Sequence, residues 1–358
     1  MTIFFDARFI SANRADGISR FSINLLGELS RILPVTAIVS HAHQVDVLPP
    51  SVEHIFESPA DSIRELGFAR RMNRRRASVV FSPMQTTGGL GRKFKLVLTI
   101  HDLIYYSHSA PPPRFSAAVR LIWRLYHLSY WPQRVLLRQA EALVTVSEAS
   151  KRAIEKARLY AGPIHVIANA VAPEIAAPTP TNQALTRPFK VVYAGSFMGY
   201  KDVETLVRGC SSSTNEIELH LVSPIEQPRR DELQRVADES NTRVVFHDGM
   251  SDSDYAALLD QSALMVTASR AEGFCIPVLE AFSRSVPAVC SDLEVLREVA
   301  GDGAEFFEPG NPEALAQAVT RALERRDELA WRARQRAQDF SWAKSAQKLK
   351  DLLESLDA

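Results

Sequence analysis

Residues 272–280 read EGFCIPVLE and directly follow the apolar run ALMVT at 263–267. This order predicts a strand, a loop and a helix start, with Pro277 at the first helical position, where its missing N–H group is no loss. The first backbone N–H groups of such a helix, near Val278 and Leu279, are expected to be unpaired at the positive end of the helix dipole. The stretch therefore predicts a binding site for an anionic group such as a phosphate.

Two carboxylates flank this predicted helix start. Glu272 is expected on the loop, and Glu280 is expected to reach out from the first helical turn. A carboxylate accepts two hydrogen bonds from neighbouring hydroxyl groups but repels a diphosphate, so both acids suit sugar hydroxyls. The alternative is that both acids only cap or solvate the start of the helix.

Length and patterning indicate two domains of the α/β class. A chain of 358 residues is long for a single core. Apolar runs of strand length alternate with helical patterns in both halves, which predicts two parallel sheets with helices on both faces. We predict strands at 2–5, 35–39, 78–81, 95–100, 142–146, 189–194, 216–222, 243–247, 263–267 and 287–291.

The division between the domains is predicted near residue 180, because the segment 172–188 is rich in proline, alanine and threonine. We therefore predict one domain at 1–180, a second at 181–340 and a final helix at 341–358. The charge also differs between the two halves. Residues 1–180 contain 22 basic and 13 acidic side chains, and residues 181–358 contain 20 basic and 29 acidic side chains. Ligands of open parallel sheets bind beyond the carboxyl ends of the strands, so a cleft between the domains is the expected site.

The composition is that of a soluble enzyme, with 46% hydrophobic and 23% charged residues. No apolar run approaches the roughly 20 residues of a bilayer-spanning helix. The opening TIFFDARFI contains an acid and predicts a strand rather than a signal peptide, so a cytoplasmic location is expected. Three cysteines without a CxxC pair predict neither disulfides nor a zinc site, and the absence of GxGxxG after a strand argues against a nicotinamide dehydrogenase.

Together with the E-x7-E pattern of 272–280, six other segments resemble the retaining GT-B glycosyltransferases of the family-4 type, which use nucleotide-sugar donors. The resemblance implies two doubly wound, Rossmann-like domains facing a central cleft, with a C-terminal helix that crosses back to the first domain. It also implies no metal or other cofactor, since positive side chains and helix ends serve instead. The segments are DGISRFSINLL at 16–26, TIHDLIYYSHS at 99–109, TVSEASKRAI at 145–154, IHVIANAV at 164–171, VVYAGSFMGYKD at 191–202 and FSWAKSAQKL at 340–349.

The resemblance also implies roles in the second domain. Glu280 would bind the ribose hydroxyls and Glu272 the hydroxyls of the donor sugar. Lys201 would neutralise the diphosphate leaving group as the glycosidic bond breaks, which a preorganised cation does well. Further donor contacts are implied for Gly195, Ser196, Phe274, Cys275, Ile276, Val278 and Leu279.

Two positions of the first domain join this set. His101 follows the strand at 95–100, and the resemblance makes it a contact to the donor sugar near the anomeric carbon. A metal phosphohydrolase would need further ligands that the sequence does not offer at suggestive spacing, while a satisfied histidine at a strand end stays an alternative. Gly17 lies in a loop that resembles the family's glycine-containing loop beside the sugar diphosphate, and Arg20 is a candidate contact to acceptor or phosphate.

The chain departs from the family pattern at several of these positions. Cys275 stands where a second glycine is usual, and Ser19 stands where Gly-Ile-Gly-Arg is commoner. An arginine usually found beside the phosphate lysine is absent, because Ser196 and Tyr200 occupy its places. Arg270 is a candidate for the missing positive charge.

Asp252-Ser253-Asp254 matches the DxD metal motif of another glycosyltransferase fold. Its setting before an apolar pattern predicts instead a helix cap with acids in the first turn. We therefore predict no metal site.

The N-terminal half carries two basic clusters. One is the run Arg70 to Arg76, and the other is the stretch 103–140, which lacks acids and mixes five arginines (114, 120, 124, 134 and 138) with aromatic and aliphatic residues. This pattern predicts peripheral contact with an anionic membrane at its inner face. Nucleic acid is disfavoured by the acidic second half, and the structural alternative is a helix that buries its aromatics and leaves its arginines in water.

The predicted function is transfer of a hexose, with mannose favoured, from a nucleoside diphosphate sugar to a hydroxyl of a lipid-linked glycan. The resemblance implies front-face substitution, in which the leaving phosphate helps to deprotonate the acceptor. Two alternatives stay open. One is a GT-B nucleotide-sugar epimerase or hydrolase-like enzyme, and the other is a catalytically silent nucleotide-sugar binding component of a polysaccharide assembly complex.

Overall fold

The computed structural model describes residues 1–11, 16–108, 117–176, 186–211 and 217–356. The chain forms two compact units, Met1–Asn169 with Ser341–Ala358, and Ala170–Phe340. The predicted boundary at residue 180 lies between 177 and 185, outside the described residues.

The first unit contains a seven-stranded parallel sheet. Its strands are β1 (Ile3–Asp6), β2 (Thr36–Val39), β3 (Glu53–Phe56), β4 (Val79–Ser82), β5 (Lys95–Thr99), β6 (Ala142–Thr145) and β7 (Ile164–Val166). They pair in the order β3-β2-β1-β4-β5-β6-β7, always in parallel. The helices are α1 (Gly17–Ile32), α2 (Ala42–Val45), α3 (Phe68–Arg74), α4 (Ile104–Ser107), α5 (Ala117–His127), α6 (Trp131–Leu137) and α7 (Glu148–Lys156), with short 3-10 helices at Ala7–Phe9 and Ile63–Gly67.

The second unit contains a six-stranded parallel sheet. Its strands are β8 (Phe189–Tyr193), β9 (Ile217–Leu221), β10 (Arg243–Phe246), β11 (Leu264–Thr267), β12 (Ala288–Ser291) and β13 (Ala304–Phe307). The order is β10-β9-β8-β11-β12-β13, again parallel throughout. The helices are α8 (Val203–Gly209), α9 (Gln227–Ser240), α10 (Asp252–Asp260), α11 (Ile276–Ser283), α12 (Glu294–Ala300), α13 (Pro312–Glu324) and α14 (Arg326–Ala337), with 3-10 helices at Gly199–Lys201 and Gly301–Gly303.

Both sheets follow the strand order of doubly wound α/β folds, which confirms the predicted fold class. All ten predicted strands are present, whereas β3, β7 and β13 were not predicted. In such sheets the strand order reverses once, and a crevice opens at the carboxyl ends of the two strands on either side of the reversal. The crevices of the two units therefore lie between β1 and β4 and between β8 and β11.

The last helix, α15 (Trp342–Ser355), belongs to the first unit, as predicted. Its Ser341 cap accepts a hydrogen bond from the Lys344 N–H group. The Trp342 ring lies 6.0 Å from the buried ring of Phe21 in α1, and Ser345 Oγ donates to the Ala168 carbonyl at 2.7 Å. The helix thus covers α1 and completes the core of the first unit.

Arg8 holds a buried ionic network just after β1. Its guanidinium donates to the two carboxylate oxygens of Asp6, at 2.8 Å each, and to Glu65 at 2.7 Å. Thr87 Oγ1 donates to Asp6 at 3.0 Å, and the side chains of Arg8 and Asp6 are fully buried. Buried charges are tolerated only when they are paired, so Arg8, Asp6 and Glu65 each depend on the others.

Several aromatic side chains on and around α5 and α6 pack against one another. Trp123 packs edge-on against Tyr105 with ring centroids 4.9 Å apart, and Tyr130 lies 4.2 Å from Tyr106. The structural alternative, buried aromatics, therefore accounts for part of the pattern. Arg114 and Phe115 lie outside the described residues. The exposed apolar side chains of these helices and of the turn between them are Val119, Leu121, Leu125, Leu128, Trp131 and Val135.

Across the part of the chain that the structure describes, no helix combines the length and the apolar character needed to cross a bilayer.

Two histidines meet at the carboxyl ends of β9 and β10. His220 Nδ1 lies 2.9 Å from His247 Nε2, with the rings stacked 5.2 Å apart, and His220 Nε2 lies 3.1 Å from Glu218 Oε2. Burial lowers the pKa of both rings; Lys190 and the neighbouring ring lower the pKa of His220 further, while Glu218 opposes the shift. Both imidazoles therefore favour the neutral form in the folded state.

We expect this pair to make the second unit less stable in mild acid. A depressed pKa in the folded state means that the unfolded chain binds more protons, so stability is complete above the ordinary histidine pKa of about 6.5 and falls as the pH drops below it. His220→Gln should flatten the dependence of the unfolding midpoint on pH between about pH 7 and pH 5. The matched control is His54→Gln on exposed β3, which should leave the pH dependence of the unfolding midpoint unchanged. Equal slopes for the wild type and His220→Gln would contradict the expectation.

Candidate active site

The loop after β11 leads directly into α11, as predicted, but the helix begins one residue early. Ile276 is the first helical residue, and Pro277 takes the second position instead of the first. The Val278 N–H group donates to the Cys275 carbonyl at 3.2 Å. The prediction that this donor is unpaired is therefore wrong, because the early start closes a turn across it.

Glu280 does not reach out from the first turn as predicted. Because α11 starts at Ile276, Glu280 falls in the second turn, where it is only 3% exposed. A carboxylate at such a position sits inside the unit rather than on its surface.

Lys201 and Glu272 form the centre of the candidate site. The Lys201 ammonium donates to Glu272 Oε1 at 2.6 Å, across the crevice between the loops that follow β8 and β11. The side chains are only 15% and 6% exposed. Ser269 Oγ donates to the same carboxylate oxygen at 2.7 Å, and Thr267 Oγ1 lies 3.1 Å from Ser269 Oγ. Two residues predicted on separate loops therefore make one buried ion pair with its own hydroxyl support.

The charges of this pair sustain each other. Burial alone would lower the pKa of Lys201, but the Glu272 carboxylate together with Cys275, Tyr193 and Tyr200 outweighs burial, and the net pKa is raised. Burial and the same carboxylate raise the pKa of the Cys275 thiol well above its usual value. The lysine is therefore cationic and the thiol neutral at physiological pH.

Gly195 and Ser196 form a turn after β8 that two hydrogen bonds hold in place. The Gly195 N–H donates to Ser223 Oγ at 3.1 Å, and the Tyr193 hydroxyl donates to the Ser196 carbonyl at 2.6 Å. A Cβ atom on Gly195 would lie 2.8 Å from that hydroxyl. Glycine is therefore required here by the close approach of Tyr193.

Arg270 lies beside the ion pair and has a partner of its own. Its Nε donates to Asp202 Oδ2 at 2.8 Å, and its backbone N–H donates to the Tyr200 carbonyl at 2.7 Å. Its guanidinium also lies over Gly310, where a Cβ would come within 2.5 Å of it. Its suggested role as the missing phosphate charge stays a prediction.

Phe274 and Cys275 shape the wall of the loop. The Phe274 side chain is buried and packs edge-on against Phe340 with centroids 5.6 Å apart. Cys275 caps α11 with a positive φ of 76°, a conformation that suits glycine better than cysteine. The chain thus carries a side chain at a strained position beside the ion pair.

In the first unit, His101 lies after β5 at the predicted carboxyl edge. Its Nε2 is 2.9 Å from the Pro83 carbonyl, which only accepts, so Nε2 carries the hydrogen and Nδ1 is the remaining acceptor. The ring packs edge-on against Phe21 at 5.0 Å. Burial lowers its pKa despite this hydrogen bond and nearby Asp16, which favours the neutral ring.

Gly17 opens α1, with Asp16 as the cap. A Cβ on Gly17 would meet no atom within 4 Å, so no crowding requires the glycine. Ser19, at the place of the usual second glycine, turns its hydroxyl to Asp16 Oδ2 at 2.8 Å and accepts from the Ser11 N–H at 2.9 Å. The serine is therefore absorbed into the cap of the helix.

Ser251 caps α10 by accepting from the Asp254 N–H, and Asp252 and Asp254 lie in the first turn, as predicted. Among the described residues, no three His, Cys, Asp or Glu side chains are grouped to hold a metal. The absence of a metal requirement stays a prediction.

Sequence reasoning missed the supporting residues Ser269, Thr267, Tyr193 and Asp202. Ser269 lies three residues before Glu272 on the same loop, which is a usable signal. Thr267 and Tyr193 also act locally, on Ser269 and Ser196. Asp202 carries no local signal, because its contact with Arg270 joins residues 68 positions apart.

Two family models match the chain in succession. The model described as Glycosyltransferase Family 4 matches residues 17–175, and the model described as Glycosyl transferases group 1 matches residues 180–340. With the doubly wound architecture of both units, these matches place the chain in a known class. The chain belongs to the GT-B glycosyltransferases of the family-4 type.

Among curated relatives, the serotype-specific mannosyltransferase WbdA of Escherichia coli is 28% identical over 116 residues, which is 32% of this chain and 14% of that protein. The MMP alpha-(1->4)-mannosyltransferase of Mycolicibacterium hassiacum is 28% identical over 270 residues, 70% of this chain and 62% of that protein. The chain thus matches less than two thirds of the length of either relative. Anabaena HepE, solved in complex with UDP-glucose, shares the fold with a TM-score of 0.76 at 17% identity, covering 99% of this chain and 100% of that one.

Proposed function

We propose that the protein is a retaining glycosyltransferase that moves a hexose, mannose-like by preference, from a nucleoside diphosphate sugar to a hydroxyl of a lipid-linked glycan. The observation that carries the proposal is the buried Lys201–Glu272 pair at the crevice between β8 and β11. The Lys201 ammonium suits a diphosphate, and the Glu272 carboxylate suits sugar hydroxyls. The relatives that are named mannosyltransferases support the preference for mannose.

In this proposal the ion pair opens when donor binds. The Lys201 ammonium turns to the diphosphate and stabilises the charge that develops on it, while Glu272 accepts hydrogen bonds from the sugar hydroxyls. The bond from the anomeric carbon to the phosphate oxygen breaks, the acceptor oxygen attacks from the same face, and its proton passes to the departing phosphate. His101 contacts the donor sugar through its Nδ1 acceptor.

The nucleotide contacts are proposed with one revision. Glu280 is kept as the ribose contact, because a carboxylate shielded from water makes stronger hydrogen bonds to hydroxyls. The N–H groups of Phe274, Cys275 and Ile276 replace that of Val278 as donors to the diphosphate, since Val278 is already engaged. Arg270 would need to leave Asp202 to add charge there.

The proposed partners are the nucleotide sugar, a glycan or glycolipid acceptor and the inner face of an anionic membrane, with no metal and no nucleic acid. A peripheral cytoplasmic location is supported by the basic N-terminal half and by the exposed leucines Leu121 and Leu125 of α5, which lie among arginines. Exposed leucines beside arginines suit a membrane surface, where phosphate headgroups lie above the hydrocarbon.

The test is a transfer assay with labelled GDP-, UDP- and dTDP-sugars and membrane lipid extract as acceptor. We expect label to enter lipid from one donor, with the anomeric configuration of that donor retained in the product by NMR. Donor binding without turnover would favour the silent binding component, and diphosphate release without transfer would favour the epimerase or hydrolase-like alternative.

A further inference from the structure

Three large aliphatic side chains of the first unit stand almost fully in water. Ile63 and Leu66 are 85% and 82% exposed, and Leu90 is 85% exposed. The first two lie in the 3-10 helix Ile63–Gly67, and Leu90 lies in the connection between β4 and β5. Single exposed leucines are ordinary on a protein surface, but a group of them on adjoining segments marks an interaction surface.

The two segments that carry these side chains hold each other in place. The Gly88 N–H donates to Glu65 Oε1 at 3.0 Å. Asn73 donates to the Gly91 carbonyl at 2.9 Å and accepts from the Lys93 N–H at 2.8 Å. We call residues 63–67 and 88–93 together the apolar loop pair. Its backbone is fixed from within the unit while its aliphatic side chains point to solvent.

The charge around the apolar loop pair is mostly positive. Residues 62–94 contain eight basic side chains and one acid, Glu65, and an exposed acid, Asp61, lies just before them. Glu65 is turned inward, where Arg8 and the Gly88 N–H bind it. The arginines at 64, 70, 74, 75 and 76 are exposed. An anionic partner would therefore meet a net positive charge on the segments that carry the three aliphatic groups.

The apolar loop pair also adjoins the end of α6. The Gly89 N–H donates to Gln139 Oε1, and Arg92 Nε donates to the Gln139 carbonyl, both at 3.0 Å. Gln139 follows α6, which carries exposed Trp131 and Val135. The exposed apolar side chains of α6 and of the apolar loop pair thus belong to neighbouring elements of one unit.

We propose that the apolar loop pair inserts Ile63, Leu66 and Leu90 into the acyl boundary of an anionic bilayer while the surrounding arginines bind lipid phosphates. This rests on the membrane contact of the proposed function and assigns the element that enters the lipid. A bilayer fits better than a protein partner, because protein interfaces are depleted of charge at their centre, whereas phosphate headgroups above hydrocarbon match a basic ring around aliphatic tips.

The test is sedimentation of the whole protein with vesicles of phosphatidylcholine, alone or mixed with phosphatidylglycerol. We expect binding to the mixed vesicles, and Ile63→Ser/Leu66→Ser/Leu90→Ser should weaken it by about tenfold or more, since each aliphatic group loses its transfer from water. The loss should persist at high salt, which screens the arginines but not the apolar contribution. The matched control, Trp331→Ser, removes an exposed apolar ring of α14 in the other unit and should bind like the wild type.

Wild-type affinity in the triple variant, or absence of wild-type binding to the anionic vesicles, would overturn the proposal, and the second result would point to a protein partner. The variant is expected to fold, because its three side chains make few contacts, and circular dichroism checks this. The assay contains no nucleotide sugar, so its failure leaves the transferase proposal standing. Conversely, failure to transfer sugar to a soluble acceptor would not count against membrane insertion of the apolar loop pair.

Discussion

Glu272→Gln is expected to lower sugar transfer by about a hundredfold or more, because the donor sugar loses the carboxylate that holds it in position to react. At the same time it should strengthen binding of the free nucleoside diphosphate by about tenfold, equivalent to about 1.4 kcal/mol. The two effects have opposite signs because Glu272 neutralises Lys201 at 2.6 Å in the unliganded protein. Without that carboxylate the ammonium is available to phosphate, but the sugar hydroxyls lose their acceptor.

Transfer kinetics and titration calorimetry measure the two effects separately. Ser269→Ala is the matched control, since it removes one hydrogen bond to the same carboxylate oxygen but no charge. It should cost about tenfold or less in transfer and leave diphosphate binding unchanged. Near-normal transfer by Glu272→Gln, or weaker diphosphate binding, would show that the pair serves the fold rather than the donor.

Arg8→Met is expected to destabilise the first unit by about 3–5 kcal/mol, because it leaves two carboxylates without their buried partner. Asp6 is fully buried and Glu65 nearly so. Hydrogen exchange of β1 and β4 reports the change in this unit directly, without assuming that both units unfold together.

Arg297→Met provides the comparison. Arg297 binds Asp292 with a similar geometry, but the two side chains are 56% and 43% exposed. Its loss should cost about 1 kcal/mol or less. Replacing Arg8, Asp6 and Glu65 together by apolar residues should recover much of the loss, since no unpaired charge then remains. Similar costs for Arg8→Met and Arg297→Met would refute the role given to burial.

The sequence predicted every described strand inside the two sheets, but of the four described edge strands it predicted only β10. β5 and β11 lie inside their sheets, so their residues are buried on both sides and form continuous apolar runs. β3, β7 and β13 are edge strands. Residues 53–56 of β3 are mostly exposed, so this strand has no apolar run to find. The edge strand β10 was predicted because it carries the run RVVF at 243–246.

The candidate site divides in a similar way. The pattern of 272–280 and the resemblance to the family were sufficient to select Glu272 and Lys201, which lie on loops at strand ends. Their direct contact joins residues 71 positions apart and depends on strand order, which no local pattern contains. The burial of Glu280 was missed because it depends on how α11 packs within the unit, which no local pattern contains.

The first unit is assembled from both ends of the chain, and this affects how the protein is made. Phe21 is fully buried, and Trp342 and Leu349 of α15 help to cover α1. During translation the ribosome must therefore complete all of 170–340 before the residues that close the earlier core emerge. Until then the nascent chain exposes an apolar helix face, which makes it a client for chaperones.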